Sequence, residues 1–106
     1  MIHLSPQQVL NHLQTAAVKP ILLDVREPSE FEFCAIEGSI NIPLARIPEA
    51  AAKLDPEQEY VLICHHGRRS QRAGEFLAEH GFEKLINLSG GVEEWARTVE
   101  PGMPRY

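Results

Sequence analysis

The chain has 106 residues, 43% of them hydrophobic, and a formal net charge of -5, so it holds enough apolar material for one compact core but lacks the surplus of Lys and Arg on which broad nucleic-acid or anionic-membrane binding rests. No stretch approaches the roughly 18 apolar residues of a membrane span, and no basic segment leading into an apolar run opens the sequence. The two cysteines, Cys34 and Cys64, are too few for a disulfide scaffold and lack the paired spacing of a zinc site, so a cytoplasmic protein with reduced thiols and no metal or cofactor is expected.

In chain order, Ser5-Pro6-Gln7-Gln8 sets a capping serine before a first-turn proline with a glutamine three residues on, and Val9, Leu10 and Leu13 supply an apolar face. A helix over residues 5–15 follows. Ile21-Leu22-Leu23-Asp24-Val25 reads as a strand buried on both faces, with Asp24 and Arg26 at its end. The segment 27–37 alternates phenylalanine with charge and proline and is left unassigned between short helix and loop. Ser39-Ile40-Asn41-Ile42 suggests a strand, and Ile47, Ala50, Ala51 and Leu54 recur at helical spacing until Asp55-Pro56. Tyr60-Val61-Leu62-Ile63 is the next buried strand, Ala73, Phe76 and Leu77 mark a helix ended by Gly81, and residues 84–88 form the last strand. Ser89-Gly90-Gly91 then turns the chain into a closing helix bearing Val92, Trp95 and Val99. Alternation of this kind implies an α/β fold, a parallel sheet covered on both sides, with ligands expected at the carboxyl ends of the strands.

Cys64-His65-His66-Gly67-Arg68-Arg69-Ser70 falls at such an end. From residue 61 to residue 72 there is no acidic side chain, while Arg68, Arg69 and Arg72 supply three of the ten basic ones. A loop curling from strand to helix aims backbone N–H groups inward and adds the partial positive charge of a helix amino terminus, so it stabilises an anion and favours thiolate over thiol. Gly67 permits the curvature. Cys64 is therefore the expected nucleophile, and Arg68 and Arg69 are expected to draw in an anionic substrate, either both together or one of them with the other turned to solvent.

Over nearly its whole length the chain resembles the rhodanese-like family of single-domain sulfurtransferases. Leu23-Asp24-Val25-Arg26-Glu27, Ile36-Glu37-Gly38-Ser39-Ile40-Asn41-Ile42-Pro43, the run from Cys64 to Ser70, and Leu88-Ser89-Gly90-Gly91-Val92 with Trp95 look like four signatures of that family in order. Cys34-Ala35 stands where the second signature usually carries Gly-His. The resemblance implies one rhodanese-like domain over residues 1–106 with a five-stranded parallel sheet. It also implies a persulfide on Cys64 and substrate binding by the backbone amides of His65, His66, Gly67, Arg68 and Arg69. The implied partners are a small anionic sulfur donor such as thiosulfate and a cyanide, thiol or protein-thiol acceptor. Four residues separate Cys64 from Arg69, a spacing similar to that of the family's sulfurtransferases; related phosphatases have a loop one residue longer.

Alternative readings stand beside these. Cys34 reads as a packing residue or a second redox thiol, and Asp24 and Arg26 as site support or a structural ion pair. His65 and His66 read as loop-shaping groups or proton carriers. The same loop would also serve a persulfide-relay module or a small cysteine phosphatase or arsenate reductase.

Overall fold

A computed structural model describes all 106 residues. The chain runs β1 (Ile2–Leu4), α1 (Pro6–Thr15), β2 (Ile21–Asp24), α2 (Pro28–Phe33), β3 (Ile40–Asn41), a 3-10 turn (Leu44–Arg46), α3 (Ile47–Ala50), β4 (Tyr60–Ile63), α4 (Arg68–Glu79), β5 (Leu85–Leu88) and α5 (Gly91–Thr98). The five strands form one sheet in the order β1-β5-β4-β2-β3, every neighbouring pair parallel. No helix is long and apolar enough to cross a membrane.

Side chains on alternate residues of the strands feed two cores, as the pleat requires. Leu22, Val61, Ile63, Ile86 and Leu88 face α1 and α5, where they meet Val9, Val92 and Trp95. Leu23, Leu62 and Leu85 face the other way, onto Ile47 of α3 and Ala73 and Leu77 of α4. The chain thus leaves β4 toward one face of the sheet and leaves β5 toward the other. Adjacent strands whose exits diverge open a crevice at their carboxyl ends. Cys64 follows β4, and Gly90-Gly91 follow β5, so both line that crevice.

The expected Ser5 cap is present: the Gln8 N–H donates to Ser5 Oγ at 3.2 Å and the Ser5 N–H to Gln8 Oε1 at 2.9 Å. Other elements depart from expectation. β1 has no counterpart in the residue pattern, because three residues on a sheet edge with exposed Ile2 show no run or alternation. The unassigned segment contains α2, a turn and a half started by Pro28, in which the Glu27 N–H donates to Glu30 Oε1 at 3.0 Å. It buries no residue, so no apolar periodicity marks it. β3 is only two residues long, and the helix expected from Ile47 to Leu54 shortens to α3, with turns at 51–53. Pro48 has no N–H to offer Leu44, which leaves the preceding turn as a 3-10 segment.

Candidate active site

β4 delivers Cys64 to the crevice with 1% of its surface exposed. The chain then turns sharply at Gly67, whose φ of +100° is the left-handed region that side chains rarely adopt. A Cβ there would meet Gly90 N at 3.2 Å and Leu88 O at 3.4 Å. The turn brings the Gly67 N–H onto Cys64 Sγ at 2.9 Å, immediately before α4 begins. The carbonyls point away: Cys64 C=O accepts from Val92 N at 2.9 Å and His65 C=O from Glu93 N at 3.1 Å. The loop amides are expected to converge on the sulfur, but Gly67 alone donates a backbone hydrogen bond to it, and the amino terminus of α4 adds its partial positive charge.

Beneath the loop lies a buried polar chain. Ser70 Oγ sits 3.3 Å from Cys64 Sγ and donates to Asn87 Oδ1 at 2.5 Å, while Asn87 Nδ2 donates to the Gly67 carbonyl at 3.2 Å. The carbonyl admits only a donor, so the amide orientation is settled and the single Ser70 proton lies toward Asn87. A Cys64 thiol then donates to Ser70. This chain ties the loop to the middle of β5.

Above the sulfur is a pocket of about 240 Å³ lined by Cys64, His65, His66, Arg68 and Arg69. Five of the six residues expected at the loop thus share one cavity, and the sixth, Gly67, shapes its floor. Arg68 is exposed. Arg69 is turned to α2, where Nη1 and Nη2 donate to the two carboxylate oxygens of Glu30 at 2.7 and 2.9 Å. That hydrogen-bonded guanidinium holds the Glu30 carboxyl down at about 2 and raises Arg69 in turn.

Asp24 and Arg26 do not line the pocket. Both are fully buried and form an ion pair, with Arg26 Nη2 and Nε donating to Asp24 at 2.7–3.0 Å. Arg26 also donates to Cys34 C=O at 2.6 Å and to the Tyr106 hydroxyl at 2.9 Å. Burial alone would lower its pKa, but the bonds to Asp24 and Tyr106 raise it. Tyr106 donates onward to Glu30 Oε2 at 2.7 Å, joining the buried pair to the Arg69 wall. Its ring stacks on His65, which stacks on His66, each at 3.9 Å between centroids. Burial, reinforced by His66, pushes the His65 imidazole down in pKa, and its Nε2 is buried without a hydrogen-bond partner. Cys34 is buried in the core at the end of α2, with Arg26 Nη1 3.8 Å from its sulfur. No three His, Cys, Asp or Glu side chains gather as a metal-ligand group.

The rhodanese-like domain family matches residues 5–98. The chain belongs to the rhodanese-like family. It is 35% identical over 100 residues to the putative sulfurtransferase YtwF of Bacillus subtilis, covering 87% of this chain and 96% of that one. It is also 39% identical over 79 residues to the putative sulfur carrier protein YrkF of the same organism, covering 74% of this chain and 43% of that protein. Among solved structures, a rhodanese-related protein of Thermoplasma volcanium superposes with a TM-score of 0.81 at 33% identity, covering 98% of this chain and 96% of that one. The single-domain sulfurtransferase RDL2 of Saccharomyces cerevisiae gives 0.78 at 26% identity, covering 95% and 93%. The chain spans less than half the length of several relatives it matches, including 30% of the rhodanese-like/PpiC domain-containing protein 12 of Arabidopsis thaliana.

Four site residues went unread in the sequence. Asn87 left a signal, one polar residue inside the apolar run Leu85-Ile86-Asn87-Leu88, and Glu30 left a weaker one, a glutamate at the third position of a helix opened by proline. Ser70 lay within the loop segment without a role. Tyr106 stands 80 residues from its partner Arg26, so no local pattern joins them.

Proposed function

We propose that this rhodanese-like protein is a sulfurtransferase that carries sulfane sulfur as a persulfide on Cys64, acting as one domain over residues 1–106 in the reducing cytoplasm. The observation that carries the proposal is the Cys64 sulfur at the floor of the cationic pocket, with the Gly67 N–H aimed at it. The cavity above it has room for an added sulfur, whose negative charge would meet Arg68 and the start of α4.

In the first half-reaction, with thiosulfate as donor, the Cys64 thiolate attacks the outer sulfur. A new S–S bond forms to Cys64, the S–S bond of thiosulfate breaks, and sulfite leaves with the electron pair. In the second, cyanide or a thiolate attacks the terminal persulfide sulfur and Cys64 leaves as thiolate, giving thiocyanate or a persulfide on the acceptor. Neither step takes up a proton or needs a metal. His65 and His66 line the entrance and need carry no charge for this chemistry.

Intact-mass analysis after exposure to thiosulfate should show the chain heavier by one sulfur atom. Replacing Cys64 with Ser should abolish both that gain and thiocyanate formation, and full activity in C64S would reject the assignment. A second reading, a relay that receives sulfur from a partner protein, is favoured by the resemblance to YrkF; slow thiosulfate turnover with fast loading from a cysteine desulfurase would select it. Release of phosphate from an aryl phosphate would instead select a phosphatase.

A further inference from the structure

We propose that Glu30 is a specificity-determining residue that occupies the paired Nη donors of Arg69 at the pocket wall, so that Cys64 is charged less readily by free dianions than by sulfur borne on a thiol; this deepens the Cys64 persulfide reading and rests on it. The geometry is specific. A guanidinium recognises an oxyanion best with two parallel N–H bonds, and in this chain both Nη groups of Arg69 already donate to the two oxygens of Glu30. The carboxylate is itself pinned from two further directions, by the Glu27 N–H at 3.0 Å and the Tyr106 hydroxyl at 2.7 Å.

A dianion entering the pocket finds the Nη1/Nη2 edge of Arg69 already filled by that fixed carboxylate and meets its negative charge as well. The persulfide of a thiol presents one terminal sulfur and asks for no paired donors. Arg68, exposed at the rim, remains to attract either. Glu30 therefore acts through Arg69 as a positioning residue. It leaves the thiol-borne route open while weakening the small-anion route.

The decisive comparison is made in C64S protein, where thiosulfate binds without reacting, with affinity read by titration calorimetry. E30Q in that background should bind thiosulfate about tenfold more tightly, the scale of one charge-assisted hydrogen bond regained. The gain should vanish when R69Q is added. Unchanged or weaker binding in C64S/E30Q overturns the proposal, as does a gain that survives loss of Arg69. Y106F, which removes one donor to Glu30 and keeps the carboxylate, should tighten binding in the same direction by less, and weaker binding in both variants likewise overturns the proposal. In protein retaining Cys64, E30Q should lower the KM for thiosulfate by the same factor. Absence of sulfur mass on Cys64 in otherwise unaltered protein would count against the persulfide itself, a failure separate from the binding result.

Discussion

Replacing Gly91 by Ala should disturb the loop directly, through its backbone. The added Cβ would lie 2.3 Å from the Cys64 carbonyl oxygen and 2.4 Å from that of His65. These are backbone atoms without a flexible end to swing away, so the Cys64-His65 segment must retreat by about 1 Å, a displacement that costs on the order of 100-fold in a positioned reaction. The φ of +60° at Gly91 adds about 1–2 kcal/mol for a side chain in the left-handed region. The hydrogen bonds from Val92 and Glu93 to those carbonyls stretch at about 1 kcal/mol each. Together the change amounts to about 3–4 kcal/mol, a fall in melting midpoint of more than about 10 °C for a chain this size. Gly81, with φ of +92° and no atom within 4 Å of where a Cβ would stand, gives the control: G81A carries the backbone term alone, about 1–2 kcal/mol. Urea unfolding and sulfur transfer from thiosulfate are measured on both. If G91A were no less stable and no slower than G81A, the close approach of α5 to the loop would not be what shapes it.

Three further outcomes are expected. D24N leaves the Arg26 cation fully buried without its counter-charge and should lower the unfolding free energy by about 3–5 kcal/mol in urea; a loss below about 1 kcal/mol would show that the pair is solvated. The Glu30 carboxyl, ordinarily at 4.5 and held at about 2 in the fold, contributes stability that is complete above pH 4.5 and is lost as pH falls toward 2. E30Q should therefore show a shallower acid dependence across that window in unfolding experiments, and an unchanged slope would count against the clamp. His65, lowered by burial and by His66, should titrate in NMR with a midpoint below 6.5, whereas a midpoint at or above 6.5 would contradict its packing between Tyr106 and His66.

Most of the fold was legible because its central strands are short apolar runs bounded by turn residues, and because α4 and α5 each show one apolar stripe. Cys64 and its loop were legible for a related reason: a thiol, a glycine and two arginines between a buried strand and a helix leave few other structures open. The illegible parts share a physical cause. β1 and β3 are edge strands held by pairing with distant segments, and α2 is held by a proline start and a backbone cap without an apolar face. Charge counting left open which of the two loop arginines, Arg68 or Arg69, faces the substrate. Only the placement of α2 shows that Glu30 engages one of them, and only the return of the chain to Tyr106 shows how that carboxylate is fixed.

The strand order also has a temporal side. Ile2 lies opposite Ile86, 84 residues later, so at about 5–20 residues per second on a ribosome the first strand waits roughly 4–17 s for its partner. Asn87 and Gly91, which brace the loop from below and behind, emerge later still. A nascent chain halted before residue 91 would present Cys64 without the Val92 and Glu93 N–H groups that hold the Cys64 and His65 carbonyls, so the bracing of the reactive centre is completed only by residues that arrive late.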